Sequence, residues 1–267
     1  MEILHYSFFQ HALAGCILTS IACGLVGTYI VIRRLSFISG GITHASFGGL
    51  GLGFYLGINP VMTALGFALF SAWGVEWAGQ RGTLREDSAI AALWSVGMAV
   101  GALFLFLSPG YAPNLSGYLF GSVLTITDTD LYFSGATAGI LVVTAICYHR
   151  QIIYSAFDSD FARTQNLPVS RIRYVLALLT ALTIVLAIRL VGIMLLLSLL
   201  TLPPSTVNLF TSDYRRITIG SVVVSLVASI LGLVLSVTLN IPSGAGITLT
   251  LAFVFVFAKA YKNFQTK

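Results

Sequence analysis

The sequence predicts an all-α integral membrane protein, a polytopic bundle of about eight or nine transmembrane helices with the N-terminus outside and the C-terminus in the cytoplasm. Three observations predict it. Of 267 residues, 57% are hydrophobic and only 9% charged, with a mean hydropathy of +0.94. A soluble domain carries about 25% charged residues, so this chain cannot cover a water-facing surface. Apolar runs of the roughly 20 residues needed to span a bilayer recur along the whole length. The basic residues, finally, cluster in alternate connections between those runs.

Taken in order, spans are expected at 12–32, 39–58, 61–79, 88–107, 131–148, 174–188, 190–210, 217–239 and 246–260. The breaks between them carry turn chemistry, as at Asn59-Pro60, Arg81-Gly82, Ser108-Pro109-Gly110, Asp213-Tyr214 and Asn240 to Gly244. Arg189 alone divides 174–188 from 190–210, and Pro203-Pro204 is expected to bend or end its helix. Residues 108–130 are too polar to span and read as an outer re-entrant or interfacial segment shielded by protein. Arg33, Arg34, Arg81, Arg85, Arg150, Arg163, Arg171, Arg173, Arg215, Arg216, Lys259, Lys262 and Lys267 fall on one side, which the positive-inside rule makes cytoplasmic.

The chain reads as a single transmembrane domain, 1–267, with no room for an ATP-binding domain. Its start, MEILHYSFFQHALAG, lacks the positive n-region of a cleavable signal. The net charge of +5 belongs to the membrane flanks and implies no nucleic-acid partner. Cys16, Cys23 and Cys147 have no metal-ligand spacing and read as packing residues; Cys16 and Cys23 lie about 10 Å apart along one helix, too far to bridge.

Few ionisable groups lie within spans. His44 does, in SFISGGITHASFGG, and its helical neighbours Gly40, Gly41, Gly48 and Gly51 are all glycine. Gly49, Gly53 and Gly57 form a second small-residue series. One reading is close helix packing, with His44 bonded to a neighbouring carbonyl. The other is a bare stripe that leaves room for a solute met by His44, since intramembrane ionisable groups mark pathways. Imidazole suits a transition metal. Glu76, between Trp73 and Trp77, reads as a snorkelling interfacial acid; Asp128 and Asp130 as solvated outer-loop acids; Arg189 as a cap at the outer surface.

The long inner connection, 149–173, contains SAFDSDFAR, a short helix expected to begin at Asp158 or Ser159 and to end before Leu167-Pro168. Phe157 and Phe161 are four apart and are expected on one face, against a protein partner or the lipid surface. There is no P-loop, GxSxG, HExxH or paired intramembrane carboxylate. The chain is therefore not expected to be an enzyme, and a nucleotide-driven machine needs its ATPase on another chain.

Four stretches in order resemble the permease subunit of the ABC importers for zinc, manganese and iron. They are VIRRLSFISGGITHA, REDSAIA at 85–91, SAFDSDFARTQNLPV at 155–169, and LVGIMLLLSLLTLPPSTVNLFT at 190–211. The resemblance implies a permease of the prokaryotic cytoplasmic membrane that pairs with a second copy of itself, a cytoplasmic ATP-binding subunit and an extracytoplasmic metal-binding protein. It implies no bound cofactor; the metal is cargo, Zn²⁺ slightly favoured over Mn²⁺ or Fe²⁺. His44 matches the family's pathway histidine, which makes Gly40, Gly41, Thr43, Gly48 and Gly51 candidate path residues. Phe157, Asp158, Phe161 and Ala162 match the coupling helix that docks on the ATPase.

One departure stands out: the family commonly has an aspartate four residues before the histidine, where this chain has Gly40. Two copies of His44 with hydroxyls of Ser39, Thr43 or Ser46, an acid from another segment, or a cargo other than a bare ion would each answer it. Rival readings are an ABC permease for a metal chelate or haem, and a gradient-driven secondary transporter. An intramembrane enzyme would need a nucleophile–base pair or ligand cluster that one histidine does not provide.

Overall fold

A computed structural model describes residues 7–81, 85–108 and 126–265. Within them the chain forms α1 (Ser7–Ile32), α2 (Ser36–Leu56), α3 (Pro60–Arg81), α4 (Glu86–Leu107), α5 (Asp128–Cys147), α6 (His149–Phe157), α7 (Ser159–Thr164), α8 (Val169–Asn208), α9 (Tyr214–Leu239) and α10 (Ser243–Gln265). It is an all-α membrane protein. Seven of the described helices, all but α2, α6 and α7, are long and apolar enough to cross a bilayer. α2 has 21 residues, but its glycines, serines and threonine dilute its apolarity. Of the outer segment expected at 108–130, residues 109–125 lie outside the described residues.

The helix ends follow the turn chemistry. α2 stops at Gly57, whose φ of 67° is a left-handed cap that L-residues rarely adopt. Gly57 therefore ends the helix and is not a packing member of the 49/53 series. The Asn59 side chain accepts from the Val61 N–H at 3.0 Å, and Pro60 takes the first helical position of α3, where its missing N–H costs nothing. Asp213 accepts from the Arg216 N–H at 3.1 Å and opens α9. At the far end Asn240 is left-handed, and the Ile241 N–H bonds back to the Ser236 carbonyl at 3.1 Å.

α8 corrects the expected division at Arg189. At 40 residues it would run about 60 Å if straight, twice the hydrocarbon thickness of about 30 Å. Its one break in helical geometry falls at Gly192 (φ 79°, ψ 166°), a conformation open to glycine and not to arginine. Pro203 and Pro204 lie inside the helix.

The fold divides into two compact units. One gathers α1, α5, the C-terminal part of α8, α9 and α10. In lipid no hydrophobic force draws helices together, so small residues and hydroxyls do it. A Cβ on Gly24 of α1 would lie 2.6 Å from Val222 Cγ2 on α9. Beside it, Ser20 meets Ser229 and Thr28 donates to Ser221, both at 3.3 Å. Gly27 of α1 packs on the Leu200 carbonyl, which Pro204 leaves without its helical donor. Cys16 and Cys23 are buried in this unit as expected, whereas Cys147 is exposed.

Asp130 in the same unit is not a solvated loop acid. It is 8% exposed, accepts from the Thr127 N–H and hydroxyl at 3.1 and 2.7 Å, and pairs with Arg189 Nε at 2.9 Å. Arg189, itself exposed as expected, is thus the partner of a buried carboxylate. Asp128 is exposed and meets His11 Nε2 at 3.1 Å.

The second unit gathers α2, α3, α4, α6, α7 and the N-terminal part of α8, with α2 packed on both α3 and α4. Glu76 does not snorkel: it is 3% exposed and pairs with Arg173 Nε at 2.5 Å. Gln80 donates to Glu76 at 3.1 Å, and Ser170 donates to Gln80. Burial of a carboxylate is tolerable only with such partners, and these tie α3 to the first turn of α8.

Candidate functional site

His44 sits on a helix whose residues 38–43 and 45–51 are all buried, and it is itself only half-buried. The small residues around it are not open space. A Cβ on Gly41 would meet Ile90 Cγ2 at 2.6 Å, one on Gly48 the Gly97 carbonyl at 3.0 Å, and one on Gly51 the Gly101 carbonyl at 2.5 Å. α4 answers in kind, because a Cβ on its Gly97 would collide with the Ala45 backbone. On the adjoining face Gly49 packs against Thr63 and Ala64 of α3. The stripe is a close helix–helix contact, the packing alternative raised from the sequence.

The hydroxyls near His44 are spent on their own helix. Ser39 donates to the Ser36 carbonyl at 2.7 Å, Thr43 to Ser39 at 2.6 Å and Ser46 to Ile42 at 2.7 Å, and all three are fully buried. Such back-bonding satisfies a hydroxyl within an apolar helix. His44, by contrast, is not fully buried.

Two α4 residues, neither singled out from the sequence, complete the surroundings. The Trp94 indole stacks on the His44 imidazole with ring centroids 4.2 Å apart and planes 18° from parallel. The Met98 sulfur lies 3.2 Å from His44 Nδ1. Gly40 is where Trp94 fits: a Cβ there would lie 2.6 Å from Trp94 Cζ3. Among the described residues no three His, Cys, Asp or Glu side chains gather as a metal cluster.

The connection at 149–169 forms the second candidate surface. Asp158 caps α7, its Oδ1 accepting from the Asp160 and Phe161 N–H groups at 3.1 and 2.9 Å. Extended backbone at Asp158 (φ −146°, ψ 94°) separates α6 from α7. Phe157 therefore ends one helix and Phe161 sits in the next, rather than sharing one helical face. Both remain exposed, at 59% and 47%, and Tyr154 meets Phe161 edge-on at 5.6 Å. Ala162 is fully buried and anchors α7. The helix closes where expected: Asn166 is left-handed and the Leu167 N–H bonds to the Ala162 carbonyl at 3.2 Å.

The profile of the ABC 3 transport family matches residues 5–262. The "Manganese transport system membrane protein MntC" of Halalkalibacterium halodurans is 30% identical over 257 residues, 96% of this chain and 88% of that protein. The "Probable metal transport system membrane protein" of Chlamydia muridarum is 33% identical over 268 residues, 97% of this chain and 92% of that protein. The solved structure of PsaBC from Streptococcus pneumoniae in complex with Fab is similar with a TM-score of 0.85 at 27% identity, covering 96% of this chain and 92% of that one.

Proposed function

Since the chain belongs to the ABC 3 transport family, we propose that it is the membrane permease of an ATP-driven importer for a divalent transition metal. ATP hydrolysis is supplied by a separate cytoplasmic subunit, metal by an extracytoplasmic binding protein, and the path by two copies of this chain. The observation that carries the reading is the connection at 149–169. Exposed Phe157 ends α6 there and exposed Phe161 sits in the N-capped α7 that follows. Phe157 and Phe161 enter a groove of the ATPase, Asp158 keeps α7 folded, and buried Ala162 transmits its displacement to the unit.

His44 is the pathway ligand in this reading, and the glycines hold α4 beside it rather than leaving a void. A weak single-residue site per copy suits conduction, since the ion must leave as well as enter. Imidazole without a neighbouring carboxylate suits Zn²⁺ or Fe²⁺ better than the harder Mn²⁺, although relatives carry manganese in their names. The filled stripe weighs against the chelate or haem reading, which drew on open space there. Glu76 and Asp130 are each held by an arginine, which disfavours them as the relay acids of a gradient-driven carrier.

The test is uptake by proteoliposomes containing the permease with its ATPase, offered Zn²⁺, Fe²⁺ and Mn²⁺ in turn. ATP-dependent accumulation that falls at least tenfold in His44→Ala and in Phe157→Ala/Phe161→Ala supports the reading. Uptake indifferent to ATP, or unchanged in His44→Ala, overturns it.

A further inference from the structure

Helix α2 offers Gly40 and His44, one turn apart, to Trp94 and Met98, one turn apart on α4. The four positions interlock. Trp94 lies over the missing Cβ of Gly40 and against the face of His44, while Met98 reaches the ring edge.

Resting on the reading of His44 as the pathway ligand, we infer that α4 positions it: Met98 accepts a hydrogen bond from Nδ1–H, Trp94 holds the ring plane, and Nε2 is the nitrogen left to meet the metal. A thioether has no proton to give. The 3.2 Å contact is therefore a hydrogen bond only when Nδ1 carries the hydrogen. Neutral imidazole carries one N–H, so Nε2 keeps its lone pair. In most metal sites the second ring nitrogen of a ligating histidine is bound by a carbonyl or carboxylate that fixes the tautomer. In this chain a sulfur from the neighbouring helix does that work, and the stack, nearly parallel at 18°, limits rotation about the side chain. Met98 is thus a positioning residue behind the ring and not a ligand, because Nδ1 and Nε2 point to opposite sides of the imidazole.

The experiment uses the permease–ATPase complex in lipid nanodiscs with ¹⁵N-labelled histidine, the His44 signals being assigned from His44→Ala. The expected spectrum has a pyrrole-type Nδ1 and a pyridine-type Nε2, with Zn²⁺ moving Nε2. Met98→Leu removes the acceptor; it should populate the opposite tautomer and raise the Zn²⁺ concentration for half-maximal shift about tenfold, the lower range for loss of such support. Met98→Gln restores an acceptor of similar reach and should return both readouts toward wild type. A protonated Nε2 in the wild type, or a Met98→Leu spectrum identical to wild type, overturns the inference. The two readings fail separately: metal uptake unchanged in His44→Ala removes the pathway role, whereas an unmoved tautomer in Met98→Leu, with His44→Ala inactive, removes only the positioning.

Discussion

Replacing Glu76 with leucine leaves the Arg173 guanidinium inside the unit without its carboxylate. Side-chain exposure of the pair is 3% for Glu76 and 13% for Arg173, so water can reach neither end effectively. Removing one member of a buried pair costs about 3–5 kcal/mol, because the surviving charge keeps its desolvation penalty and loses its compensation. Arg173 lies near the start of α8 and retains some exposure, which places the expected loss near the lower end, about 3 kcal/mol. Removing both charges with Glu76→Leu/Arg173→Met should cost far less, since an apolar replacement of a buried pair is often neutral. The assay is a double-mutant cycle on the purified protein in mixed micelles, unfolded by a rising fraction of SDS and followed by tryptophan fluorescence. The double variant should be more stable than either single variant. Additive losses across the cycle would refute the claim that the two charges stabilise each other.

Glycine positions on the same protein should respond in opposite directions. Gly51→Ala drives a Cβ into the Gly101 carbonyl at 2.5 Å, a backbone atom that cannot swing aside, and should cost about 1–3 kcal/mol in the same SDS titration. Gly66→Ala, in the middle of α3 with nothing within 4 Å, should instead gain about 0.5–1 kcal/mol by helix propensity. Asp158→Ala removes the acceptor for two N–H groups of α7 and should cost about 1 kcal/mol. Uptake per ATP hydrolysed should fall in that variant by more than so small a loss of stability explains, as read by the two assays together.

The helices were legible because their signals are local. Asn59-Pro60, Asp213 and Asn240 announce helix ends through their own backbone chemistry, and the structure uses each of them. Asp158 was legible as a cap for the same reason. What was not legible depended on partners far along the chain. Arg189 looks like a helix divider until Asp130, nearly sixty positions earlier, is placed beside it. Glu76 looks like an interfacial acid until Arg173 arrives. In both cases the partner lay at or just outside the edge of an expected span, so a search confined to intramembrane charges would have missed it. The glycine stripe fitted both a packed seam and an open route, because a bare Cα describes only one side of a contact. Nothing in the pattern of α4 singled out Trp94 or Met98, which read as ordinary apolar residues of a span.

The seating of Trp94 over Gly40 also constrains how this protein can change. An acid at position 40 and the indole on the imidazole compete for one volume, with a Cβ only 2.6 Å from the ring carbon. A lineage that gains the carboxylate first must give up the ring stack, worth about 0.5–1.5 kcal/mol, before any benefit to a harder cation is felt. One that first trims residue 94 loses the stack with no carboxylate to show for it. Either order gives up the stack before the carboxylate can serve, so the two positions should be inherited as a pair, glycine with tryptophan or acid with a smaller neighbour.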